Sequence, residues 1–501
     1  MWNSPSDEQL DHRWIQRFRA LNAYDEKWWL TWAGPFTSEE QAAWDRLADA
    51  SDPSTSPSHL RQHQALLLKH TREREVAAAW EERRNPRLHY PAIELARLES
   101  LLTELQQLAE EIRRQETNPV IRRLYLEAID AQQDTLRLID ACARHDRTRF
   151  WHLMRRLTPP PTQEELGIAL AYVKRVLRLA ADRRETADLS RSLQEELSTC
   201  LPGFLEATPE ESAPLSCEQK QDPARPDPLF GVAVVARFLE KTLAHYGCPE
   251  WRVAISVNAS NASVDAARRV LILQDRSLPL ANIRHLIVHE LGHVFRSRAG
   301  AHSRLGLLEI GTRTSALTEE GLVLYQERLL LAQQGQVYND AGQRLILLAI
   351  GLASGIFGPP LDFWQLWQFL ATFAMLPRLL RNPTDEWPHV QQQARDYALS
   401  LCLRVFRGVP CLDQPGICNT KDVIYIRGLR MIERAVARDA TLLQQLNVGK
   451  VGLEDLEAIH TLGIQAASSP SLVDLASDPH LEDRIRQLQE TAGASSGSLF
   501  S

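Results

Sequence analysis

Residues 282–300 read Asn-Ile-Arg-His-Leu-Ile-Val-His-Glu-Leu-Gly-His-Val-Phe-Arg-Ser-Arg-Ala-Gly, and they constrain the fold more than any other stretch of the chain. Within them His289, Glu290 and His293 make an H-E-x-x-H pattern. Residues four apart on an α-helix share a face, so both imidazoles can reach one ion. A zinc ion at a reactive centre takes three protein ligands and keeps a fourth position for water. Glu290, beside the first imidazole, is placed to accept a proton from that water. Ile283, Leu286, Ile287, Leu291 and Val294 would bury the helix from behind, with Asn282 as its N-cap and Gly300 as its stop. A fold built on this helix must bring a third ligand to the same face from elsewhere. The plain alternative is a buried helix that merely contains two histidines.

A third ligand has a candidate. Leu317-Thr318-Glu319-Glu320-Gly321-Leu322-Val323-Leu324-Tyr325 begins with a capping residue and continues as an apolar helix. Glu320 would then lie in the first turn, where it can complete a site of two histidines and one glutamate. Glu319 is the rival ligand. The alternative for both is an acidic first turn favoured by the helix dipole. The Glu-Gly pair resembles the second ligand helix of gluzincin peptidases, in which the glutamate just before a glycine binds zinc.

At 501 residues and 44% apolar, the chain can bury a large core and exceeds one ordinary domain. A net charge of −7 argues against general attraction to nucleic acid or to an anionic membrane. Seven cysteines without a C-x-x-C pair suggest no disulfide framework. The polar opening Met1-Trp2-Asn3-Ser4-Pro5-Ser6-Asp7-Glu8 is unlike a secretory leader, so a cytoplasmic location is expected.

The chain divides by composition. Residues 1–90 form a helical N-terminal extension holding Trp2, Trp14, Trp28, Trp29, Trp32, Trp44 and Trp80, seven of the 12 tryptophans. Such rings most simply anchor a small module to the rest, and a protein partner is the functional alternative. Ser51 to Ser58 breaks this segment. Residues 91–206 are helical, with a helix opened by Asn118-Pro119 and another running from Gln163 to about Arg184. Residues 207–228 form a proline-rich linker or loop. Residues 229–467 would be the metal-bearing domain, with a helix over 232–246 and strands over 251–257 and 269–273. Residues 468–501 read as a tail. Leu345 to Leu376 carries a single charge, Asp362, but Gly358-Pro359-Pro360 splits it into arms too short for stable membrane insertion. It reads as buried helix.

In the stretch 404–430, Asn419 or Thr420 can cap a helix continuing through Val436. Lys421 and Tyr425 would share a face near its N-terminus, a place suited to an anion. Arg407, Lys421 and Arg427 are candidates for a substrate carboxylate, and the Tyr425 hydroxyl for an oxyanion. The alternative is two solvent-facing cations and a core tyrosine with a polar tip.

These motifs occur in an informative order. Leu286-Ile-Val-His-Glu-Leu-Gly-His-Val-Phe-Arg296, Thr318-Glu-Glu-Gly-Leu322, Arg404-Val-Phe-Arg-Gly408, Thr420-Lys-Asp-Val-Ile-Tyr-Ile-Arg-Gly428 and Gly449-Lys-Val-Gly-Leu-Glu-Asp455 together resemble the microtubule-associated tyrosine carboxypeptidase family. Its bacterial members carry a Gln-Glu-Gly-Leu-Ala motif. The segment Asn118 to Tyr125 is similar to the family's helical region, so the likeness spans roughly residues 95–465. The resemblance implies a Zn2+-dependent peptidase that removes a C-terminal tyrosine or phenylalanine. Carried over by motif, His289, His293 and Glu320 would bind zinc and Glu290 would act as base. Two departures stand out. The family's usual motif places one more residue between the histidines, and Glu-Gly-Leu-Ala appears here as Glu-Gly-Leu-Val. His285, four residues before His289, is expected to support the site rather than to bind the ion.

The expectation is therefore a mainly α fold with a small β-sheet (α+β), a gluzincin-like core and additional helical regions. Its substrate would be a peptide or protein C-terminus. An endopeptidase, an aminopeptidase and a non-catalytic binding protein that keeps the fold are the alternatives.

Overall fold

A computed structural model describes residues 9–22, 32–49, 58–90, 93–203, 227–256, 262–266, 268–466 and 470–496. Trp2, Trp28 and Trp29, the break at 51–57 and nearly all of the proline-rich linker lie outside these residues. The fold is mainly helical with two small sheets, as the sequence leads one to expect.

In chain order the first helices are α1 (His12–Asn22), α2 (Ser38–Asp49), α3 (Ser58–Glu81), α4 (Leu95–Gln115), α5 (Pro119–Ala143), α6 (Arg147–Leu157), α7 (Gln163–Ala181) and α8 (Ala187–Cys200). Asn118 caps α5 as expected, its side chain accepting from the Val120 and Ile121 amides, with Pro119 at the first position. Thr162 and Glu165 close a reciprocal capping box at the start of α7. Apart from α2, whose Trp44 packs separately on Ala33 and Leu68, these helices share one apolar core with α13 (Ala341–Ser354), α14 (Phe363–Arg381) and α15 (Trp387–Val405). Leu347, Leu348, Phe363, Trp367 and Phe373 are fully buried there, so the apolar stretch 345–376 is interior protein. No helix among the described residues is long and apolar enough to cross a membrane.

Trp14, Phe18 and Leu21 of α1, with Trp32, lie inside this same core. The N-terminal segment is also held by polar contacts. Asp11, fully buried, accepts from the Gly306 and Leu307 amides at 2.9 Å each and from the Tyr125 hydroxyl at 2.6 Å.

A second apolar core surrounds the sheets. Strand β1 (Leu229–Phe230) pairs antiparallel with β5 (Leu278–Pro279). Strand β4 (Val270–Gln274) runs between β2 (Arg252–Ser256), parallel to it, and β3 (Ser263–Asp265), antiparallel. The two strands expected from sequence are β2 and β4; β1, β3 and β5 are too short to leave a periodic signal. Leu271 and Leu273 alternate inward from β4 onto α9 (Val232–His245) and α10 (Leu280–Ala301).

Three boundaries differ from expectation. Helix α10 starts at Leu280 with Pro279 in the cap position, so Asn282 is already inside it. Gly300 does not stop it: a β-carbon there would collide with the Leu308 carbonyl in α11 (Leu307–Ile310), and the glycine permits that crossing. Residues 468–501 are also more than a tail. Leu472, Val473, Leu475 and Ala476 of α19 (Leu472–Ser477) and Leu481 and Ile485 of α20 (Leu481–Ser496) are buried in the core behind α10. The remaining helices are α12 (Ser315–Gln333), α16 (Val423–Val436), α17 (Leu442–Gln445) and α18 (Leu456–Thr461). The six described cysteines are free thiols, and all but Cys411 are buried.

Candidate metal centre

Helix α10 carries the H-E-x-x-H residues, with Ile283, Leu286, Ile287, Leu291 and Val294 buried on the apolar side. The rings of His289 and His293 lie with centroids 5.3 Å apart on the opposite side, one turn from each other. Glu320 reaches them from α12, its Oε2 3.9 Å from His289 Nε2. One ligand atom from each of His289, His293 and Glu320 falls within 4.8 Å of the others. Glu320 lies in the second turn of α12 rather than the first, because that helix begins at Ser315.

What orients these side chains is a second set of carboxylates. His289 Nδ1 is 2.6 Å from Glu327 Oε1, and His293 Nδ1 is 3.1 Å from Glu319 Oε2. A carboxylate opposite each Nδ1 calls for a proton there, which leaves Nε2 on both rings for a metal. Glu319, the rival candidate, faces His293 Nδ1 and lies outside the group formed by His289, His293 and Glu320. Its other oxygen takes the Nε–H of Arg296, which is 4% exposed. Burial pushes the Glu319 carboxyl up, but Arg296 and His293 outweigh it and hold the group ionised. Burial likewise opposes charge on His289, yet Glu327 prevails and lifts the imidazole to about 9. Glu327 is itself held at about 2, where His285 and His289 overcome the upward push of burial.

The fit to a cation rests on Glu320. Its Oε2 is buried and has no hydrogen-bond partner among the described residues. A buried carboxylate oxygen left unpaired is costly. Two imidazole nitrogens and that oxygen match the ligand chemistry of zinc, which accepts nitrogen and carboxylate oxygen at about 2.0–2.2 Å. Glu290 is buried beside them at 8% exposure, and its carboxylate makes no hydrogen bond to a described residue.

Two glycines bring α16 to this centre. A β-carbon on Gly321 would overlap the main chain of Gly428 in α16, and one on Gly428 would overlap the Leu317 carbonyl. The backbones of α12 and α16 therefore touch, and the Glu-Gly and Arg-Gly pairs in the sequence mark the crossing. Tyr425, one turn before Gly428, is thereby brought beside Glu320. Burial and then the Glu320 charge push its phenol above the ordinary value, so it remains a donor. The Arg404 guanidinium lies over the Tyr425 ring at 5.6 Å.

The three candidate cations separate. Arg427 is engaged elsewhere: it donates to both oxygens of Glu165 at 2.7 and 2.8 Å and to the carbonyls of Pro159 and Pro160. It ties α16 to α7, and we set it aside as a carboxylate ligand. Lys421 precedes α16 instead of sharing a helical face with Tyr425, since the helix starts at Val423. Asn419 holds that turn by accepting from the Lys421 amide at 2.9 Å. Arg407, half-buried, has no carboxylate partner among the described residues. Arg72 of α3 lies in its field, with burial and then Arg407 lowering its proton affinity. Sequence reading did not single out Glu327, Arg296 or Arg72. Only Glu327 had a signal, standing seven residues after Glu320 and hence on the same helical face.

A family model described as microtubule-associated tyrosine carboxypeptidase matches residues 387–490. The resemblance read from the motifs is met over this segment. It carries Arg404, Arg407, Lys421, Tyr425 and Arg427, but neither the 289–293 pattern nor Glu320. No curated protein and no solved structure matches the chain.

Proposed function

We propose that this chain is a zinc-dependent metallocarboxypeptidase with a gluzincin-like core, removing a C-terminal residue, tyrosine or phenylalanine, from a peptide or protein. The observation that carries the reading is the convergence of His289, His293 and Glu320, with an orphaned carboxylate oxygen, beside Glu290. The family match over the segment that supplies Tyr425 and Arg407 supports the carboxypeptidase part.

His289, His293 and Glu320 would hold the ion, which supplies Lewis acidity and makes a water molecule more acidic. Glu290 takes a proton from the attacking water and returns it to the leaving amine. Its burial without a hydrogen-bond partner leaves the carboxylate available for that exchange. Tyr425 donates a hydrogen bond to the oxyanion formed at the scissile carbonyl. Arg407, with Lys421 near it in the chain, receives the terminal carboxylate of the substrate. Such a cation is what a carboxypeptidase needs and an endopeptidase or aminopeptidase does not.

Incubation with peptides ending in Tyr, Phe, Glu or Lys, with and without a chelator, tests the proposal. Loss of single C-terminal residues, stopped by the chelator and by Glu290→Gln, is the expected result. Internal cleavage or loss from the N-terminus overturns the carboxypeptidase assignment. Inertness towards every peptide points to a partner-binding protein that keeps the fold.

A further inference from the structure

The imidazole that sequence reading left in a supporting role has a geometry of its own. His285 lies one turn before His289 on α10, its ring stacked on that of His289 with centroids 5.2 Å apart. Its side chain is 51% exposed, whereas that of Glu327 is 7% exposed. Glu327 Oε1 is 3.1 Å from His285 Nδ1 and 2.6 Å from His289 Nδ1. One ligand atom from each of His285, His289 and Glu327 lies within 4.8 Å of the others. This is a separate set of donors from that of His289, His293 and Glu320, and it shares one ring with it.

We propose that His285, Glu327 and the Nδ1 of His289 form a second, weaker site for a zinc-like divalent cation, opening to solvent at His285. The donors are two imidazole nitrogens and a carboxylate, the types such a cation prefers. Tetrahedral zinc with bonds of about 2.0–2.1 Å needs ligand edges of about 3.3 Å. The His285 edge already approaches that length, and the His289 edge must open by roughly 0.7 Å. Entry of the ion displaces the proton on His289 Nδ1 to solvent, and the ring then faces one ion through each nitrogen. That proton is the one through which Glu327 holds His289 in place. Occupying the second site therefore loosens the first. Resting on the proposed function, excess zinc inhibits the reaction through this position.

Zinc uptake by the full chain, measured by equilibrium dialysis and elemental analysis, tests the proposal apart from activity. Wild type takes up two zinc ions at separable concentrations. His285→Ala keeps the tighter ion and loses the weaker, and His285→Gln, which retains polarity without the ring nitrogen, does the same. Glu320→Gln loses the tighter ion and keeps the weaker. Inhibition by excess zinc disappears with His285→Ala. A single ion in wild type at all zinc concentrations overturns the inference, as does a second ion that survives in both His285 variants. If instead the tighter ion survives Glu320→Gln, the functional reading fails while this inference stands.

Discussion

The two histidines of the centre are gripped in different ways. On one side His293 meets Glu319, and Glu319 meets Arg296, with side chains 15%, 8% and 4% exposed. On the other side His289 meets Glu327, and Glu327 meets His285, whose side chain is 51% exposed. The first relay ends in a permanent charge sealed in protein. The second ends in an imidazole ring facing water. One side is thus a rigid brace, and the other is adjustable from outside. A site needs the first to keep its geometry and can use the second to change it.

Several substitutions would break or sharpen this contrast. The largest effect belongs to the residue between the relays: Glu290→Gln slows turnover by about 10²–10⁴-fold. Zinc content by elemental analysis stays unchanged, which separates proton transfer from metal binding. Arg296→Ala comes next, because it leaves Glu319 charged and buried without its partner. It costs about 3–5 kcal/mol, read by urea denaturation. Gly428→Ala forces α12 and α16 apart and costs about 1–3 kcal/mol, with a lower Tm and a weakened oxyanion contact. Glu327→Gln keeps a hydrogen-bond acceptor for His289 but removes the charge. It weakens the tighter zinc ion about tenfold in a competitive chelator titration. His285→Ala sits at the open end and changes stability by no more than about 0.5 kcal/mol. If it cost as much as Arg296→Ala, the two sides would not differ in the way described.

Much of this centre is legible in the sequence because its main signal is local. His289 and His293 lie on one helical turn, and the apolar spacing of α10 fixes which side faces inward. Local signals also give the Asn118-Pro119 helix start and the helix that begins at Gln163. What escapes reading depends on pairs far apart in the chain. Arg407 and Arg427 are equivalent as letters, and only Glu165, 262 residues from Arg427, tells them apart. The cap assignment at Asn282 fails because Pro279, held beside β1, already sets the helix start. The apparent tail at 468–501 looks dispensable until Leu481 and Ile485 are found behind α10. The tryptophans of the N-terminal extension announce packing, but only the contacts of Asp11 and Trp14 reveal which surface they cover.

The touching backbones at Gly321 and Gly428 have a wider meaning for how this protein can vary. The separation of Glu320 from Tyr425 is inherited from main-chain contact, so repacking of the surrounding core scarcely alters it. Sequence drift can therefore remodel nearly every neighbour of these helices without detuning the pair, while two positions admit no side chain at all.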